Sequence, residues 1–217
     1  MNFKTTALEY KYIPPNSGDC KYLLILVHGR TGNLRLLEWY SKRFKIDELG
    51  FICVQAPYPD RRLDQADEGF SWYLEKYQGL DESRQKILKM VEELKSQGMS
   101  AENTFWLGFS QGSVMILDLA LRGPYKFGGF LCISGFCISI QDYPKAFGPF
   151  AKKQNILISH GTRDEIISYK KTKAVYDQLA ALGVNFDFRT YDKPHSFHMQ
   201  KEIPELETQL KEWIASK

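Results

Sequence analysis

At 217 residues the chain has the length of one domain, large enough to bury a core without metals or disulfides. Apolar residues make up 43% and charged residues 25%, the balance of a globular protein rather than a disordered or membrane-embedded one. The formal charge of +3 comes from Lys and Arg scattered among Glu and Asp, which argues against a nucleic-acid-binding surface.

The opening residues, MNFKTTALEYKY, hold no apolar run of the kind a secretory leader needs. The longest apolar stretches, Tyr22–Val27 and Phe130–Ile140, are too short to span a bilayer. Cys20, Cys53, Cys132 and Cys137 form no C-x-x-C pair and read as buried free thiols in a reducing compartment, so a cytoplasmic protein is expected.

In chain order, Leu8–Ile13 predicts a strand ended by Pro14 and Pro15, which suits a sheet edge. Tyr22–Val27 predicts a buried strand, followed by the turn His28-Gly29-Arg30-Thr31-Gly32. Its glycines let backbone N–H groups face a cleft, although a plain strand-to-helix turn would use them too. His28 reads as a residue held inside that turn. Leu34–Phe44 predicts a helix, Phe51–Val54 a strand, and Ser83–Ser96 an amphipathic helix. Thr104–Leu107 predicts a strand and Gly112–Leu121 a helix, with Ser110 at the corner between Gly108 and Gly112. Gly129–Ser134, Asn155–Ser159 and Phe186–Tyr191 predict strands, and Ser168–Leu182 and Pro204–Ala215 helices. This alternation predicts an α/β fold: one domain over residues 1–217 with a mostly parallel central sheet and helices on both faces.

In such sheets the working residues gather at the carboxyl ends of the strands. Three polar residues follow strands there in the order Ser110, Asp164, His195. A free serine hydroxyl is a poor nucleophile, so it needs a base, and the base needs a carboxylate to fix its tautomer. G-x-S-x-G between strand and helix is the pattern of a nucleophile elbow, where larger side chains at the glycines would collide with backbone. Glu165 is the alternative acid and His198 the alternative base; Asp164 and His195 are preferred because each lies nearer its strand end. His160 reads as packing under its loop. The histidines are too dispersed for a metal site, and no cofactor is expected.

With those residues in hand, the chain resembles the phospholipase/carboxylesterase family of α/β-hydrolases, which includes the acyl-protein thioesterases. The matching strings are LVHGRTGN, QAPYP, SWY, GFSQGS, SHGTRDEII and TYDKPHS, spread from about Tyr22 to Ile214. The related dienelactone-hydrolase-like proteins have a Cys nucleophile, and Ser110 argues against them. The resemblance implies Ser110 as nucleophile, Asp164 as acid and His195 as base. It implies the backbone N–H groups of Arg30 and Gln111 as oxyanion hole, and Trp72 and Tyr73 as lining of the acyl pocket, with Phe70 adding apolar surface. Family members usually carry Leu where Arg30 stands, and Gly-rich sequence where Lys193-Pro194 precedes His195. The segment Leu74–Asp81 is short against the acyl-protein thioesterases, which predicts small to medium acyl chains. The expected partner is a small-molecule ester or thioester; the competing expectations are an acyl-protein thioesterase or lysophospholipase, and a binding protein on the hydrolase fold. The sequence does not fix the association state and is compatible with a homodimer.

Overall fold

A computed structural model of the chain describes residues 3–60, 68–138 and 143–217. The last two residues of the apolar stretch Phe130–Ile140 therefore lie outside the described residues. Seven strands form one sheet: β1 (Tyr10–Ile13), β2 (Tyr22–Val27), β3 (Leu49–Val54), β6 (Thr104–Phe109), β7 (Gly129–Ile133), β8 (Ile156–Gly161) and β9 (Asp187–Tyr191). Two further short strands, β4 (Tyr58–Pro59) and β5 (Phe70–Ser71), pair as a separate antiparallel ribbon. The sheet order is β1-β3-β2-β6-β7-β8-β9, and only β1 runs antiparallel to its neighbour. The edge strand ahead of Pro14 and Pro15 is thus where the sequence puts it.

The strand interior explains why these segments are continuous apolar runs. Successive side chains point to opposite faces. In β2, Leu23, Ile25 and Val27 join the core on one face while Leu24 and Leu26 join the other. β6 divides in the same way, with Trp106 on the first face and Phe105 and Leu107 on the second. Helices α1 (Leu80–Ser96), α2 (Gln111–Arg122) and α4 (Tyr169–Ala181) contribute Ile87, Val91, Val114, Leu117, Tyr176 and Leu179 to the first core. Helix α5 (Glu202–Ala215) contributes Leu206 and Leu210 to the second. A short helix, α3 (Tyr143–Ala146), was not anticipated.

One predicted helix is corrected. Leu34–Phe44 holds only a 3-10 turn at Glu38–Lys42. Leu37, Tyr40 and Phe44 are buried as an amphipathic pattern requires. However, the Leu36, Glu38 and Tyr40 N–H groups donate three residues back, to the carbonyls of Asn33, Arg35 and Leu37, so the backbone closes 3-10-type turns there instead of an α-helix. Three other helices start earlier than predicted, α2 by one residue at Gln111. α1 begins at Leu80, with Gly79 in the left-handed region at φ 85° before it. α5 begins at Glu202, which leaves Pro204 within the first turn, where a missing N–H costs nothing.

Candidate active site

Ser110 follows β6 directly and begins the turn into α2. Its φ of 52° and ψ of −116° are a conformation that L residues rarely adopt, held by the Ser110 N–H donating to Ile133 O at 2.9 Å. The flanking glycines are sterically required. A Cβ on Gly108 would lie 2.5 Å from Gly112 O, and one on Gly112 would lie 2.5 Å from His28 O and against the Val27 carbonyl. The strand and helix therefore cross closely enough to raise the Ser110 hydroxyl clear of the sheet.

The ends of β8 and β9 bring two more groups to it. His195 Nε2 lies 2.9 Å from Ser110 Oγ, and His195 Nδ1 lies 2.8 Å from Asp164 Oδ2. Asp164 is buried, and its second oxygen accepts the Ile166 and Ile167 N–H groups at 3.0 and 2.8 Å. Those donors fix which oxygen faces the imidazole. The Phe109 ring lies 5.0 Å from the His195 ring, and Phe197 lies 4.5 Å from Phe109. Aromatic packing thus limits how far His195 can rotate.

The competing residues lie elsewhere. Glu165 is exposed. His198 places its ring beside Tyr191, and its N–H donates to Glu202. His160 is buried in β8, with Nε2 2.9 Å from Ile167 O and 3.4 Å from Asp164 Oδ2. Burial lowers its pKa, which keeps it neutral under the Asp164 loop. His28 is also buried: its Nδ1–H donates to Gly29 O at 2.8 Å, and its Nε2 accepts the Ala56 N–H at 3.1 Å. Burial lowers its pKa to about 4, so the turn rests on a neutral imidazole.

Ser110 and His195 open into a cleft of about 670 Å³, whose walls include Arg30, Tyr73, Tyr77, Phe136 and Ile166. Another groove of about 700 Å³ lies between β1 and the Glu38–Lys42 turn, and neither Ser110 nor His195 lines it. Arg30 and Gln111 both line the cleft, and among the described residues neither backbone N–H has an acceptor. Two such donors beside Ser110 can receive a developing oxyanion. The Arg30 side chain is 55% exposed, and its Nε donates to Asp60 Oδ2 at 3.0 Å; Asp60 also accepts the Ser71 hydroxyl at 2.7 Å.

Two expected lining residues are corrected. Tyr73 lines the cleft, but Trp72 is fully buried behind the wall, where its indole N–H donates to His28 O at 2.9 Å. Phe70 belongs to the β4–β5 ribbon and lines a separate hollow with Glu9, Asn33 and Gln55. Leu36, Phe136, Ile166 and Ile167 line the cleft without having been anticipated. They are ordinary apolar residues in loops, and only the fold reveals which loops meet. Leu74–Tyr77 forms the outer wall, with Lys76 and Tyr77 both left-handed at φ 53° and 61°. Among the described residues no cluster of three or more His, Cys, Asp or Glu is arranged to hold a metal, and no helix is long and apolar enough to cross a membrane.

A mostly parallel sheet with helices on both faces and a strained serine at the β6–α2 corner is the α/β-hydrolase fold. The family description phospholipase/carboxylesterase matches residues 8–214, and the chain belongs to that family and with it to the carboxylic-ester hydrolases. It is 30% identical over 162 residues to acyl-protein thioesterase 1 of Kluyveromyces lactis, a match covering 70% of this chain and 65% of that protein. It is 28% identical over 202 residues to carboxylesterase SOBER1 of Arabidopsis thaliana, covering 87% of this chain and 89% of that one. The crystal structure of Zea mays acyl-protein thioesterase 2 superposes with a TM-score of 0.78 at 20% identity, over 95% of this chain and 99% of that one, which shows the shared fold.

Proposed function

We propose that the protein is a serine esterase that cleaves carboxylic esters of small to medium acyl chains through an acyl-enzyme. The observation that carries this reading is one imidazole engaged on both sides, with Nε2 2.9 Å from Ser110 Oγ and Nδ1 2.8 Å from Asp164. Ser110 attacks the ester carbonyl as its proton passes to His195 Nε2, and Asp164 stabilises the imidazolium. The Arg30 and Gln111 N–H groups hold the oxyanion. Collapse expels the alcohol, which takes the proton from His195. Water activated by the same imidazole then releases the acid and restores Ser110. The cycle closes with these side chains, backbone and water, and calls for no cofactor.

The substrate is a small ester whose acyl group rests against Tyr73, Tyr77 and Phe136. The four buried free thiols suit work in the reducing cytoplasm. Hydrolysis of 4-nitrophenyl acetate and butyrate by wild type and Ser110→Ala tests the reading. Loss of the nucleophile should lower kcat by about a thousandfold or more. Equal rates in the two proteins would overturn it. Thioester cleavage from acylated proteins is the second reading, supported by the name of the Kluyveromyces lactis relative. It predicts that long-chain thioesters outrun short oxygen esters in kcat/KM.

A further inference from the structure

Lys193 and Glu202 are both buried, yet neither touches the cleft. Lys193 Nζ donates to Glu202 Oε1 and Oε2 at 2.5 and 2.7 Å. The same carboxylate accepts the Ser159 hydroxyl at 2.6 Å and the His198 N–H at 2.9 Å. One side chain, at the first residue of α5, therefore joins β8 to the loop after β9. It grips that loop on both sides of His195, two residues before and three after.

Between these anchors the chain turns tightly, with the Ser196 N–H donating to Pro194 O at 2.7 Å, so His195 sits at the apex. The Lys193 backbone also leans on the loop of the acid: its carbonyl accepts the Arg163 N–H at 3.2 Å. A buried ion pair is a weak source of stability, because desolvation offsets most of the attraction, and apolar replacements of similar size often fold as well. What an apolar pair cannot supply is four directed hydrogen bonds converging on one carboxylate.

We propose that the Lys193–Glu202 pair is the positioning element of the base, holding both ends of the His195 turn so that Nε2 stays within hydrogen-bond reach of Ser110. This rests on the serine-esterase reading, since it assigns a support to the base of that mechanism. Its effect belongs to the chemical step, because no atom of the pair lines the cleft that binds substrate.

The experiment compares wild type, Glu202→Asp, the double variant Lys193→Met/Glu202→Gln, and His195→Ala, measuring kcat, KM and melting temperature with 4-nitrophenyl butyrate. Glu202→Asp keeps both charges but draws the carboxylate back by one methylene; the double variant removes both charges and strands neither. A displacement on the order of 1 Å at His195 should lower kcat by about tenfold to a hundredfold in each, with KM within about twofold of wild type. If either folded variant keeps kcat within about twofold of wild type, or loses activity through KM alone, the proposal is overturned, even where the melting temperature falls. His195→Ala separates the two failures. If it keeps turnover, the assignment of the base is wrong and this proposal falls with it. If it is inactive while the double variant keeps its kcat, only the positioning role is lost.

Discussion

Replacing Asp164 by Asn should leave a folded protein with the wrong histidine tautomer. Oδ1 of Asp164 accepts two backbone N–H groups, from Ile166 and Ile167, while Oδ2 faces His195 Nδ1. An asparagine can offer its single oxygen to only one of these sides. Facing the two N–H donors it keeps two hydrogen bonds, each contributing about 1 kcal/mol, and flipping it would set an NH2 against both donors at a further cost of about 1–3 kcal/mol. The oxygen therefore stays with the loop and the amide N–H points at His195 Nδ1. That nitrogen must then become the acceptor, which moves the imidazole proton to Nε2, against Ser110 Oγ. A base carrying a proton where it should receive one is disabled, and the expected loss in kcat is about ten-thousandfold, roughly 5.5 kcal/mol of barrier. The assay is hydrolysis of 4-nitrophenyl acetate at neutral pH, with a thermal melt to establish folding. A folded Asp164→Asn protein within tenfold of wild type would refute this account of how the imidazole is oriented.

Gly112→Ala should be damaging on both counts: overpacking against the His28 and Val27 carbonyls costs about 3 kcal/mol, and moving the elbow by about 1 Å lowers kcat by about a hundredfold. An alanine variant with unchanged melting temperature and kcat would contradict the close strand–helix crossing. His28 predicts a pH dependence of stability. Its folded pKa of about 4 lies below the unfolded value, so the unfolded chain takes up the proton first as the pH falls. Stability is then full above about pH 6.5 and declines by about 3 kcal/mol on approach to pH 4. Urea unfolding of wild type and His28→Gln across that window should diverge, and parallel curves would remove His28 as the cause. In a series of 4-nitrophenyl esters, kcat/KM should rise by about fourfold per added CH2 up to hexanoyl and fall beyond it. A continued rise to palmitoyl would reveal a long acyl channel and favour the thioesterase reading.

The sheet was legible because its central strands are buried on both faces and so read as unbroken apolar runs, Tyr22–Val27 the clearest among them. The meeting of Ser110, Asp164 and His195 was legible because each follows a strand of one sheet, and the ends of parallel strands converge. Leu34–Phe44 misled because a side-chain pattern records which residues are buried and not how the backbone is bonded, and here the Leu36, Glu38 and Tyr40 N–H groups bond three residues back, not four. Trp72 misled for a related reason: it and Tyr73 both pack on one core cluster in the bend after β5, and only Tyr73 also reaches the cleft. Lys193 gave no signal, since a lysine reads as solvated until its buried carboxylate partner, nine residues away, is brought against it.

The Gln111 side chain, buried beneath the cleft, accepts the Trp72 N–H at 2.8 Å and donates to Tyr73 O at 2.7 Å. The residue that follows Ser110 is therefore bolted to the wall of the cleft. Pulling that wall away would break both bonds and leave a buried amide unpaired, about 3 kcal/mol in all, so a withdrawn wall is populated below about 1%. Tyr73 and Ser110 thus behave as one rigid gauge, whose spacing a bound ester cannot widen. Leu36 and Ile166, which also line the cleft, stand exposed and carry none of these bonds. Substitutions at Leu36 or Ile166 should therefore leave that spacing as it is, while substitutions beneath Tyr73 should change which esters fit.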